Sequence, residues 1–169
     1  MRWLAVLVLV ACTSTPAPVP PAAPPTLLAK LEASADLDGQ LVGPSDAPAT
    51  IAVVFASWCS HCKTELAILD GLRVSHPGVR VLGINVRAQE EYADRGSTEA
   101  VRAYVLASAP WLRVVPADDA LFTALGRPPK VPTLYVFDRR GALVETFDRR
   151  TRAMPTADEL DRLLRQLGA

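Results

Sequence analysis

The stretch Val53-Val54-Phe55-Ala56-Ser57-Trp58-Cys59-Ser60-His61-Cys62 decides the reading of this chain. An apolar run from Ile51 to Ala56, rich in β-branched residues, leads into it, as a central strand covered on both faces requires. Beyond it, Cys62, Leu66, Leu69 and Leu72 recur at three- and four-residue spacing, which predicts a helix over 60–74 with one apolar stripe. Cys59 and Cys62 therefore fall where a strand turns into a helix. Two cysteines separated by two residues at such a junction form a dithiol that can close into a disulfide and reopen.

The placement suits that chemistry. The thiolate, not the thiol, attacks disulfides. Cys59 falls at the first turn of the helix, where unsatisfied N–H groups and the positive end of the dipole favour a negative sulfur. It is expected to have a lowered pKa and to be the attacking nucleophile, with Cys62, one turn later and facing inward, as the resolving thiol. His61 adds a titratable positive charge beside the pair, and Trp58 is expected to cover one flank of the sulfurs. A zinc site would need two more ligands. Outside the pair, Cys12, His61 and His76 are the only Cys or His residues, and Cys12 and His76 are poorly placed. Haem attachment would need His after the second Cys, and Lys63 stands there. A static disulfide across so short a loop would stabilise little.

Outward from this centre the chain reads as one domain. Residues 26–35 are weakly helical, 36–42 hold a possible short strand, and Gly43, Pro44 and Pro48 mark turns. His76-Pro77-Gly78 ends the central helix, with His76 read as a helix-end residue. Residues 79–86 form the next strand, so the two strands and their helix make a right-handed parallel crossover. Residues 89–109 carry a helix capped by Ser97, with Val101, Tyr104 and Val105 on one face, stopped by Pro110. A strand over 111–115 and a helix over 118–125 ended by Gly126 follow. Tyr104 and Trp111 are read as core. Val131-Pro132-Thr133 opens a strand over 133–137, Asp138 to Gly141 turn the chain, and 142–147 return. The arginines of the next loop, Arg149, Arg150 and Arg152, with Arg139 and Arg140, are read as solvated. Thr156 to Glu159 form a capping box for a closing helix bearing Leu160, Leu163, Leu164 and Leu167.

The N-terminus reads as an export signal. Arg2 precedes a short apolar run, Trp3 to Val10, too short to span a bilayer as a helix. Leu9-Val10-Ala11-Cys12 resembles a bacterial lipobox, in which the Cys becomes the lipid-bearing first residue of the mature protein. This assigns 1–11 to a signal peptide and Cys12 to a lipid anchor, and resolves the odd cysteine count. Six prolines between Pro16 and Pro25 favour an extended tether, reaching roughly 30 Å over ten residues at about 3.1 Å each. The division drawn is 12–30 for the tether and 31–169 for the folded domain. Eighteen basic residues balance eighteen acidic ones, which argues against nucleic acid as a partner.

From about Asp36 to the C-terminus the chain resembles the thioredoxin superfamily, and within it the TlpA-like, membrane-tethered thiol–disulfide oxidoreductases of bacterial envelopes. The Trp58-Cys59-Ser60-His61-Cys62 segment and Val131-Pro132-Thr133 carry the likeness. The resemblance implies an α/β thioredoxin-like fold, a central mixed β-sheet flanked by α-helices, with the helical insert before the fourth-strand region that TlpA-like proteins share. It implies a cis peptide bond before Pro132, packed against the cysteine pair, and a groove formed by Ser60, Val131 and Thr133 in which the Val131 backbone pairs with an extended substrate. It implies no bound cofactor, envelope proteins with thiols or disulfides as substrates, a membrane redox partner, and a periplasm-facing lipoprotein, with the outer membrane favoured because Thr13 follows Cys12.

Two departures stand out. Thioredoxin's buried aspartate beneath the pair corresponds to Val53, and its partner lysine to Gly83, so the usual proton acceptor for Cys62 is missing. The Ser60-His61 dipeptide resembles strongly oxidising Dsb-type enzymes, whereas the subfamily points to a reductant, which is slightly favoured. The alternative from another class is a carrier of Cu(I) held by Cys59 and Cys62 for oxidase assembly.

Overall fold

The computed structural model describes residues 24–169. The signal peptide expected at 1–11, the anchor Cys12 and the tether as far as residue 23 lie outside the described residues. Among the described residues no helix is long and apolar enough to cross a membrane.

Five strands form one mixed sheet. They are β1 (Ala49–Phe55), β2 (Arg80–Val86), β3 (Arg113–Ala117), β4 (Thr133–Asp138) and β5 (Leu143–Phe147), in the order β3-β2-β1-β4-β5. β1 pairs parallel with β2 and β2 parallel with β3, while β4 runs antiparallel to both β1 and β5. All seven residues of β1 are buried, which explains the unbroken apolar run in the sequence.

The helices are α1 (Leu27–Glu32), α2 (Ser60–Ser75), α3 (Arg87–Glu90), α4 (Thr98–Ser108), α5 (Asp119–Ala124) and α6 (Ala157–Gln166), with a 3-10 turn at Tyr92–Asp94. Side chains of Thr26, Ser97, Asp118 and Thr156 cap four of them by accepting a backbone N–H three residues on. Period-two alternation divides the core. Ile51, Val53 and Phe55 pack with Leu66 and Leu69 of α2 and Leu160 and Leu164 of α6 on one face. Ala52 and Val54 pack with Leu28 and Leu31 of α1 and Leu121 of α5 on the other.

His76 is buried at the end of α2, as a helix-end residue, and also ties α2 to α6. Its Nε2 lies 2.9 Å from an Asp161 carboxylate oxygen and its Nδ1 3.1 Å from the Ala169 carbonyl. Tyr104 and Trp111 pack against the core, as expected.

The structure moves two boundaries. The expected division at residue 30 cuts through α1, whose Leu28 and Leu31 are buried against the sheet, so the folded unit includes 27–30. The strand expected over 36–42 is a turn with one isolated bridge, Ala35 to Leu41. Asp36 organises it by accepting from the Asp38 and Gln40 amides and pairing with Arg113 of β3.

Candidate functional site

Cys59 is the N-cap of α2. Its sulfur accepts the Cys62 backbone N–H at 3.3 Å, where a serine or aspartate oxygen would sit in an ordinary cap. The cap geometry delivers one backbone donor and the helix's positive end to this sulfur and not to the other. Both cysteines are free thiols. Cys59 is 7% exposed and Cys62 fully buried, so an external sulfur meets Cys59 first. Burial pushes the Cys62 thiol far above its ordinary range, and contact with Cys59 pushes it further. A backbone hydrogen bond at Ala56 and the charge of Arg149 oppose this only in part.

The Val131–Pro132 peptide bond is cis, and the Cys59 thiol approaches the Val131 carbonyl at 3.8 Å. β1 and β4 are hydrogen-bonded neighbours, which brings Pro132, just before β4, beside the end of β1 and its cysteine turn. A cleft of about 510 Å³ opens here, lined by Trp58, Cys59, His61, Tyr92, Val131 and Arg149 among others. Trp58 is half-buried on its flank, and its Nε1–H donates to the Glu90 carbonyl at 2.8 Å.

Not every expected groove residue reaches this cleft. Thr133 is completely buried and its hydroxyl donates to the Lys130 carbonyl, so it braces the proline loop from within. Ser60 is exposed on the first turn of α2 but does not line the cleft. His61 is exposed and lines both this cleft and a second, adjoining cavity of about 430 Å³. The loop arginines are not uniformly solvated. Arg152 bridges Glu145 and Glu159 and stands over the Phe147 ring at 4.5 Å, while Arg149 lines both cavities.

Two carboxylates escaped the sequence reading. Glu90 is buried at the end of α3; its Oε2 accepts the Ser57 amide at 2.9 Å and Asn85 Nδ2 at 2.8 Å, and its Oε1 accepts the Ser57 hydroxyl. It fixes the backbone two residues before Cys59. Glu65 lies on α2 one turn past Cys62, is 4% exposed, and has an oxygen with no hydrogen-bond partner. Burial raises its pKa to about 7. It lines the adjoining cavity with His61, Pro132 and Met154. The signal for it was present, since 62, 65, 69 and 72 follow the buried stripe of α2. The Val53–Gly83 pair sits in register in the sheet, buried and without a charge, as the departures from the thioredoxin pattern imply.

The observation that decides the fold is the strand–cysteine turn–helix unit facing a cis proline across a β3-β2-β1-β4-β5 sheet. The fold is the thioredoxin fold. Solved structures with it include a secreted Mycobacterium tuberculosis disulfide oxidoreductase homologous to E. coli DsbE, at 19% identity and a TM-score of 0.59, covering 79% of this chain and 93% of that one. A thioredoxin-like protein from Aeropyrum pernix matches at 16% identity and TM-score 0.66, covering 79% and 87%. The exposed lipoprotein thioredoxin of Streptococcus pneumoniae matches at 18% and 0.59, covering 79% and 96%. No protein-family model and no curated protein matches the chain. Within the thioredoxin fold, α3, the 3-10 turn and α4 fill the connection between β2 and β3, where the helical insert was expected.

Among the described residues no three His, Cys, Asp or Glu side chains are grouped to hold a metal ion. What the site can do follows from its two sulfurs. One is reachable and held at a helix N-terminus; the other is buried a turn behind it with a carboxylate one turn further on.

Proposed function

We propose that this chain is a thiol–disulfide oxidoreductase of the bacterial cell envelope, TlpA-like in type. The observation that carries the reading is Cys59 as N-cap of α2, opposite the cis-Pro132 loop, with Cys62 buried behind it. In the reducing direction the Cys59 thiolate attacks a substrate disulfide, forming a mixed disulfide and releasing one substrate thiolate. Cys62 then gives up its proton and attacks Cys59 Sγ. The second substrate thiolate leaves and the Cys59–Cys62 disulfide closes, so two electrons pass to the substrate. We assign the role vacated at Val53, taking up the Cys62 proton, to Glu65, which lies one helical turn past Cys62 and has a buried oxygen without a hydrogen-bond partner.

The reducing direction is favoured by the likeness to TlpA-like proteins, which are mostly reductants. A membrane dithiol donor would reset the pair, with lipid on Cys12 holding the domain at the envelope, the outer membrane favoured. The extracytoplasmic character of a secreted oxidoreductase and a lipoprotein thioredoxin among the similar structures supports this placement.

The test is trapping. Cys62→Ala should accumulate a mixed disulfide between Cys59 and a scrambled substrate protein, resolved on gels by reduction, while Cys59→Ala should trap none. Equal trapping by both variants contradicts the assignment.

The second reading is Cu(I) carriage by Cys59 and Cys62: His61 lines the cleft with Cys59, and thiolate suits a soft cation. Purification under reducing conditions followed by metal analysis separates the two; stoichiometric copper lost in Cys62→Ala would support carriage.

A further inference from the structure

We propose that the cleft beside Cys59 selects protein segments whose reactive cysteine is flanked by acidic residues; this rests on the exchange reading above and names the substrate of that same site.

Charge is distributed unevenly around the cysteines. Overall the chain is balanced, eighteen basic residues against eighteen acidic, and most arginines of the described chain are ion-paired, among them Arg80 with Glu32 and Arg113 with Asp36. The cleft differs. Lys130 and Arg149 line it, and no carboxylate does. Neither cation forms an ion pair among the described residues. Arg95 stands over the rings of Trp58 and Tyr92, at 5.1 and 5.9 Å, again without a carboxylate partner. Among the nearby acids, Glu90 is held by Ser57 and Asn85, Glu91 by Arg87, and Asp148 by its own loop, while Glu65 opens on the adjoining cavity and not on the cleft, and Asp94, beside Arg95, does not line it either.

Arg149 is placed there by construction. Its backbone is left-handed, φ +60°, a conformation that costs a non-glycine residue and persists only where surroundings enforce it. Asp148 enforces it, accepting the amides of Arg150 at 2.9 Å and Thr151 at 2.7 Å and the Thr151 hydroxyl at 2.9 Å, while the Arg149 N–H donates to the Arg152 carbonyl. The loop gives up an ordinary backbone to hold a guanidinium over the cleft and leaves it without a partner of its own.

An extended segment is the occupant that fits. Val131, between Lys130 and cis-Pro132, offers backbone at the Cys59 sulfur, and a strand laid there carries residues on either side of its cysteine past the cationic rim. Exposed charges of this kind chiefly raise the encounter rate, and salt screens them. The chemistry is the exchange already written: the substrate disulfide is reduced by two electrons as the Cys59–Cys62 disulfide forms.

The experiment uses the reduced full-length chain in detergent. Three peptides carry one cysteine as a mixed disulfide with mercaptoethanol and differ only in flanking residues, glutamate, glutamine or lysine. Each exchange rate is divided by that peptide's rate with dithiothreitol, which removes intrinsic reactivity. The acidic peptide should react roughly tenfold faster than the lysine peptide at about 20 mM salt, converging near about 500 mM. The ratio should collapse toward one in Lys130→Gln/Arg149→Gln and persist in Arg139→Gln, whose side chain lies outside the cleft. Equal normalised rates for the three peptides, with hydroxyethyl disulfide still exchanging, overturn the acidic selectivity and leave the exchange reading standing. Failure to exchange with hydroxyethyl disulfide or any peptide overturns both. Glutathione disulfide reacting as fast as the acidic peptide moves the site to small anionic disulfides and overturns the assignment to a protein segment.

Discussion

The Ser57 backbone N–H donates to Glu90 Oε2 at 2.9 Å, and the Ser57 hydroxyl bonds the other oxygen of the same carboxylate. A residue from the segment after β2 thus sets the backbone two positions before the reactive sulfur. Glu90→Ala leaves the Ser57 amide and hydroxyl without partners and takes one of its two acceptors from Asn85 Nδ2, which keeps the Phe55 carbonyl, a cost of roughly 2–4 kcal/mol. The expected result is a melting temperature lower by about 5–10 °C, together with slower exchange by Cys59; unchanged melting would show that the clamp is not structural.

Gly96 should be intolerant for the same reason. A Cβ there would overlap the Glu90 carboxylate. Gly96→Ala is therefore expected to reproduce the Glu90→Ala phenotype in the same melting and exchange assays, although it removes no hydrogen-bonding group.

Glu65 predicts a pH dependence. Its pKa is raised in the fold to about 7 from an ordinary 4.5, so the native state holds its proton more tightly than the unfolded chain. Its contribution to stability is present below about 4.5 and is lost as pH rises through about 7, on the order of 3 kcal/mol. Glu65→Gln should flatten that slope in denaturant titrations. It should also slow the resolving step about tenfold or more and remove its rise near neutral pH, a change that a purely structural role would not produce.

The two thiols should differ in access. Iodoacetamide at neutral pH should label Cys59 and spare Cys62 in the folded reduced protein, since Cys62 is fully buried and held protonated. Peptide mass spectrometry reads the outcome; equal labelling would contradict the assigned roles.

Much of the fold was legible because its signals are local. The apolar run of β1, the stripe of α2 and the caps at Ser97 and Thr156 depend on near neighbours in sequence. The misses depend on distant ones. α1 is only six residues long, and it is the burial of Leu28 and Leu31 against the sheet that makes it part of the domain. The turn at Asp36 is held by side-chain hydrogen bonds and by Arg113, which a reading of strand propensity does not register. Thr133 looked like a groove residue by adjacency to Pro132, yet strand alternation turns it inward. Arg149 looked like one of several solvated arginines, and only the loop geometry at Asp148 brings it to the cleft. Glu65 reads as a surface residue because carboxylates are seldom buried unpaired; here one is.

The most direct measurement is the equilibrium of the Cys59–Cys62 pair with a glutathione series. A single reversible two-electron transition, with a potential toward the thioredoxin end near roughly −270 mV, is the result predicted for a reductant. A potential near roughly −120 mV would reverse the direction of electron flow and give His61 the governing influence. The absence of any reversible disulfide between Cys59 and Cys62 would contradict the account at its centre.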